Sequence, residues 1–159
     1  MLSNIICKHK FKNPILTASG TYGYGDEVKD LVNISKLGGI VTKSVTLNPR
    51  EGNPPPRIVE TSSGMLNSIG LANLGVDDYI KYKIPSLNKL NTNVIINIAG
   101  SMIEDYLQTL EKLESVNSNH LGYEINISCP NVKEGGMEFG VNPKITEKLT
   151  KEIKKITNK

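Results

Sequence analysis

Tyr123-Glu-Ile-Asn126-Ile-Ser128, running into Cys129-Pro-Asn131-Val-Lys-Glu-Gly-Gly136, is the stretch on which the fold turns. Tyr123, Ile125 and Ile127 alternate with Glu124, Asn126 and Ser128, which predicts a strand with one apolar face and one face carrying chemistry. The Pro/Gly loop stops the strand at once. Cys129 therefore stands between two asparagines at the strand's C-terminal end, where parallel β/α barrels keep their active sites. A thiol so placed can serve as base or nucleophile; without such neighbours a cysteine is as often a small buried hydrophobe.

Working outward, strand and helix alternate along the chain. Pro14-Ile-Leu-Thr-Ala-Ser19 is a short apolar run that ends in the glycine-rich loop Gly20-Thr-Tyr-Gly-Tyr-Gly25. Asp26 then offers a helix N-cap, and Glu27 to Leu37 has helical apolar spacing up to the stop at Gly38-Gly39. Ile40 to Val45 reads as the second strand. Thr46 to Asn73 is irregular around Asn53-Pro-Pro-Pro56, with one short strand at Arg57 to Thr61, and a loop of that length points to function. Gly75 to Leu90 reads as helix interrupted at Pro85, and Val94 to Ala99 as the third strand. A helix striped by Ile103, Leu107, Leu110 and Leu113 follows, then the fourth strand, then a helix striped by Ile145, Leu149, Ile153 and Ile156. Four strand-helix units predict an α/β fold with parallel strands, one domain over residues 1–159, equal to half of an eight-unit barrel of about 250 residues.

Composition narrows the function. The 159 residues carry 22% charged side chains and a net charge of +3, with lysines scattered among acids, which argues against nucleic acid as a partner. No apolar run approaches the ~20 residues that span a membrane, and no targeting signal is visible. Cys7 and Cys129 are too far apart in sequence for a metal-binding pair or a disulfide framework, which suits a reducing cytoplasm. His9 and His120 stand apart from ligand-spaced neighbours and read as solvated, and no metal site is expected.

The polar residues fall at one end of the expected sheet: Ser19, Lys43 with Ser44, Asn97, and Asn126 with Cys129. Converging amides and an ammonium call for a ligand rich in hydrogen-bonding edges, such as a planar heterocycle. Each has a plainer role open to it: Lys43 as a snorkelling lysine, the asparagines as loop starts that bond their own backbone. Lys43 could also serve as a Schiff-base lysine of a barrel aldolase. The Gly20 loop could cradle phosphate, though it departs from the dinucleotide fingerprint.

Four segments together resemble the dihydroorotate dehydrogenase family: residues 13–25, Gly39-Ile-Val-Thr-Lys-Ser-Val-Thr46, Ser63-Gly-Met-Leu-Asn-Ser-Ile-Gly-Leu-Ala-Asn73, and residues 126–136. The resemblance covers the whole chain and corresponds to the N-terminal half of the family's TIM barrel. The cysteine in the last motif is similar to class 1 enzymes, and Val-Lys-Glu-Gly-Gly136 to the class 1B catalytic subunit. It implies FMN-dependent oxidation of dihydroorotate to orotate in pyrimidine biosynthesis, with Cys129 as base. It further implies FMN contacts from Ser19, Lys43, Ser44, Asn97 and Asn126, and substrate contacts from Lys43, Asn67, Ser68, Ile69, Gly70, Leu71, Asn126 and Asn131. By the same resemblance the partners are a second catalytic subunit, in a homodimer, and an iron-sulfur flavoprotein subunit carrying FAD and a two-iron two-sulfur cluster. The alternative is a non-catalytic half-barrel that needs another half to fold or to bind flavin.

Overall fold

The computed structural model describes residues 2–28, 30–128 and 139–159. At its centre β6 (Asn93–Ala99) pairs in parallel with β3 (Gly39–Val41) on one side and β7 (Gly122–Asn126) on the other. The register sets Ile40 against Val94, and Asn97 against Glu124. The run Asn93-Val-Ile-Ile-Asn-Ile-Ala99 is apolar on both faces because both are covered, as a central parallel strand requires. Ile96 and Ile98 pack in one core with Ile103, Tyr106, Leu110 and Leu113 of α3 (Ile103–Glu114) and with Leu149 and Ile153 of α4 (Pro143–Ile156). The Asp105 carboxylate accepts from Ser101 N at 2.8 Å and Met102 N at 3.2 Å to start α3, and the Asn142 side chain caps α4 ahead of Pro143. The elements thus form a partial α/β fold. No helix among the described residues is long and apolar enough to cross a membrane.

Several expected elements take another form. The first strand is reduced to a single parallel bridge, Leu16 to Gly39, because Thr17 Oγ1 accepts from Val41 N at 3.0 Å in place of a backbone carbonyl. The second strand does not run unbroken to Val45. Val41 is opposite Ile95 but Val45 is opposite Ile98, so four steps of one chain match three of the other. That bulge takes Lys43 off the ladder, and Lys43 N donates instead to Gly23 O at 2.8 Å.

The helix expected over Glu27 to Leu37 shrinks to a 3-10 turn, Ile34–Lys36. Asn33 binds its own backbone at Ser35, and Leu31, 84% exposed, finds no core to enter. Asp26 does not cap a helix; its carboxylate binds Lys83. Pro85 does not interrupt the next helix either. The helical run goes from α1 (Val76–Asp78) through a π turn (Tyr79–Lys83) into α2 (Ile84–Leu87), with Ile84 N reaching back to Tyr79 O. A widened turn upstream of proline accommodates its missing N–H.

Two hairpins had no sequence forecast in full. Asn4–Ile6 (β1) pairs with His9–Phe11 (β2) through Cys7 and Lys8, both at positive φ, although neither is a residue type that announces such a turn. Ile58–Thr61 (β4) pairs with Gly64–Asn67 (β5), of which only the first was expected. His120, expected in solvent, is buried. Its Nδ1 is 2.9 Å from Ser118 Oγ, its Nε2 3.3 Å from Lys159 Nζ, and its ring packs edge-on against Tyr123.

Candidate active site

The C-terminal ends of β3 and β7 and the loop after β5 enclose a cavity of about 660 Å³. It is lined by Ser19, Gly20 and Thr21, by Lys43, Ser44 and Asn126, and by Asn53 with Asn67, Ser68, Ile69, Gly70, Leu71 and Ala72. The volume suits a small-molecule ligand, and the lining is mixed polar and apolar as such sites are.

Each wall is fixed by local chemistry. The bulge after Val41 turns Lys43 and Ser44 toward the cavity. Asn126 donates from Nδ2 to Ser44 Oγ at 3.3 Å and accepts at Oδ1 from Ser128 N, while its carbonyl accepts from Tyr106 Oη at 2.7 Å. The Asn67–Ala72 wall is strapped to the Pro-rich segment: Asn53 N donates to Ile69 O at 3.1 Å, and Asn53 Nδ2 to Ser68 Oγ at 2.8 Å. Gly70 sits at φ +73, and a Cβ there would meet Asn53 N at 2.7 Å, so the close approach requires glycine. The Arg57 guanidinium donates to the carbonyls of Asn53 and Glu51, holding the loop's outer edge.

Of the expected site residues, Ser19, Lys43, Ser44, Asn126 and all of Asn67 to Leu71 line this one cavity. Asn97 does not line it. It is 1% exposed, its Nδ2 donates to Glu124 Oε1, and its Oδ1 has no hydrogen-bond partner among the described residues. Cys129 and Asn131 lie outside the described residues. Lys43 Nζ and the Asn67 amide have no side-chain hydrogen bond among the described residues, so both are available to a ligand. The later part of the glycine loop is not available to phosphate, because Tyr24 N and Gly25 N already donate to Glu27 Oε2 at 2.9 and 3.1 Å.

Asn53 and Asn73 escaped the sequence reading as site residues. Asn53 lines the cavity from a segment separated from Lys43 in sequence, and no local pattern marks it. Asn73 is buried beneath the loop. Its Oδ1 accepts from Thr46 N at 3.2 Å and Gly75 N at 2.9 Å, and its Nδ2 donates to Leu71 O at 2.8 Å.

Parallel strands ending at a cavity, with polar groups converging from separate strand ends and a strapped loop, define a small-molecule site of the β/α-barrel class. A sequence model of the family described as dihydroorotate dehydrogenase matches residues 1–159, and the chain belongs to that family. It is 51% identical over 150 residues to the "Dihydroorotate dehydrogenase B (NAD(+)), catalytic subunit" of Thermoanaerobacter sp. (strain X514), covering 94% of this chain and 49% of that protein. The proteins of the same name from Geobacter metallireducens and Bacteroides thetaiotaomicron are each 48% identical, over 99% and 96% of this chain and 52% and 50% of theirs. The chain spans about half the length of the curated relatives it matches.

Proposed function

We propose that this chain carries the substrate and flavin-ring face of a B-type dihydroorotate dehydrogenase, with Cys129 as its base. The carrying observation is that Lys43 and Asn67, neither of them engaged by another side chain among the described residues, line one cavity. An ammonium and amides complement a ring that bears a carboxylate and carbonyl edges, and charge-assisted hydrogen bonds give that recognition its strength. Orotate or dihydroorotate is held by Lys43, by the loop Asn67 to Leu71, and by Asn126 and Asn131.

The residues also fit the ring of FMN. Ser19, Lys43, Ser44 and Asn126 offer both donors and acceptors in the cavity. When bound, the flavin supplies the acceptor for hydride from C6 of dihydroorotate. Cys129 takes the proton from C5, so the product gains its C5–C6 double bond. A thiol with an ordinary pKa of ~8.5 is within reach of tuning for that task.

The relatives' designation as a catalytic subunit supports a separate partner. In this reading an iron-sulfur flavoprotein with FAD and a two-iron two-sulfur cluster removes the electrons, two catalytic subunits form a homodimer, and the enzyme works in the cytoplasm. The chain's units are the first four of the eight-unit barrel. Titration with orotate tests the assignment: Lys43→Ala and Asn67→Ala should each weaken binding by ~1.5–3 kcal/mol, the scale of a charge-assisted hydrogen bond. Unchanged affinity in both variants contradicts it.

A further inference from the structure

Lys83 lies on the π turn, away from the cavity lining, yet a short series of contacts joins it to Lys43. Its ammonium bridges Asp26 Oδ1 and Glu27 Oε1, each at 3.0 Å, and stands 5.3 Å from the centroid of the buried Tyr24 ring. The other oxygen of Glu27 is seated in the glycine loop, accepting from Tyr24 N and Gly25 N. Consecutive N–H groups around one carboxylate oxygen make an anion nest, here filled from within the chain. The seat excludes a side chain at position 23: Gly23 has φ +57, and a Cβ there would lie 2.8 Å from Glu27 Oε2. Gly23 in turn offers the carbonyl to which Lys43 N donates at 2.8 Å, after the bulge has removed Lys43 from the sheet.

We propose that Lys83 is a positioning residue: by holding Glu27 in the nest of the Gly23–Gly25 loop it fixes the carbonyl on which the Lys43 backbone depends, and so sets where the Lys43 side chain enters the cavity. The proposal rests on the reading of that cavity as the orotate site. A plain surface ion pair would contribute little and move nothing. This one differs because Lys83 is only 18% exposed, and both carboxylates meet it from the loop whose conformation is in question. Burial works against the charge on each partner, yet it is outweighed at Glu27 by hydrogen bonds from Lys83, Asp26 and the loop backbone, which hold its carboxyl below its ordinary range, and at Lys83 by Asp26 and Glu27, which hold its ammonium above its own.

Lys83→Met keeps the aliphatic stem and removes the charge, and Lys83→Arg restores it. Backbone hydrogen exchange by NMR should show the amides of Tyr24, Gly25 and Lys43 opening roughly tenfold faster in Lys83→Met, with β6 and α3 unchanged. Orotate affinity should fall in the same variant, and Lys83→Arg should bring both measurements back. Unchanged exchange at Lys43, acceleration spread equally over β6 and α3, or faster exchange with unaltered orotate affinity would each overturn the positioning role. If the unsubstituted protein itself fails to bind orotate, the reading of the cavity falls, while exchange at Lys43 still decides whether the clamp exists.

Discussion

Asn126 Nδ2 donates to Ser44 Oγ at 3.3 Å, although β6 lies between β7, which carries Asn126, and β3, whose bulged continuation carries Ser44. In a flat sheet the outer two of three strands are about 9.5 Å apart, twice the strand spacing. A side-chain hydrogen bond across β6 is favoured by the bulge that displaces Ser44 and by a small residue between the two. The register supplies Ala99 there, opposite Asn126, with its N–H bonded to Val45 O at 2.9 Å. Asn126 and Ser44 thus meet across the end of β6, and both line the cavity there.

Ala99→Leu should therefore be costly. Ala99 is fully buried between Asn126 and the β6–Val45 pairing, so three added carbons must displace a neighbour. Overpacking of this kind costs ~1–3 kcal/mol, read as a lower denaturation midpoint, and orotate binding should weaken with it. An unaltered midpoint would mean that the strand ends tolerate spreading.

If the proposed role holds, Cys129→Ala should abolish flavin reduction by dihydroorotate in the assembled enzyme while leaving orotate affinity nearly intact, since a base acts in proton removal rather than in binding. Cys129→Ser should retain part of the rate only at higher pH, because a hydroxyl is the poorer base. Stopped-flow absorbance of the flavin reads both variants, and near-normal reduction by the alanine variant would remove Cys129 from the mechanism.

The parallel framework was legible in the sequence because its signals are periodic: Val94 to Ala99 is a long apolar run, and α3 and α4 each carry a stripe that ends against the same core. Strand ends were legible in part: Ser19, Lys43, Ser44 and Asn126 meet at one mouth as strand direction suggests, with the bulge after Val41 turning Lys43 and Ser44 inward, whereas Asn97, read at the same end, does not line the cavity. What escaped depends on partners distant in sequence. The bulge at Lys43 exists because Thr42 Oγ1 and Gly23 O take part in the ladder's place. Glu27, which fits a helix by spacing, is taken by the loop before it. His120 is buried by Tyr123 and by Lys159 from the chain's far end, which no local pattern announces.

Asn73 should prove structural for the loop that carries Asn67 to Leu71. Asn73→Ala leaves Thr46 N and Gly75 N without their shared acceptor, and both are buried under the loop. Unsatisfied buried groups cost ~1–3 kcal/mol. The expected result is a lower unfolding midpoint together with weaker orotate binding, since Leu71 O also loses its donor. Stability equal to that of the unsubstituted protein would show that water replaces the amide at no cost.

His120 should give the fold a specific acid sensitivity. Burial, together with the neighbouring Lys159 charge, lowers its pKa from 6.5 to about 4, against the opposing pull of Glu114. The unfolded chain therefore binds a proton at His120 at a higher pH than the folded protein does. Stability from this group is complete above the unfolded pKa of 6.5 and is lost as pH falls from there toward 4. Between pH 7 and 5 the loss should be about 2 kcal/mol, before carboxylates such as Glu27 and Glu114, which burial disfavours but hydrogen bonds hold low, begin to protonate. Urea denaturation at pH 7, 6 and 5 measures it. His120→Gln, which cannot titrate, should flatten the profile over that window. An equal decline in the glutamine variant would assign the acid sensitivity to other groups.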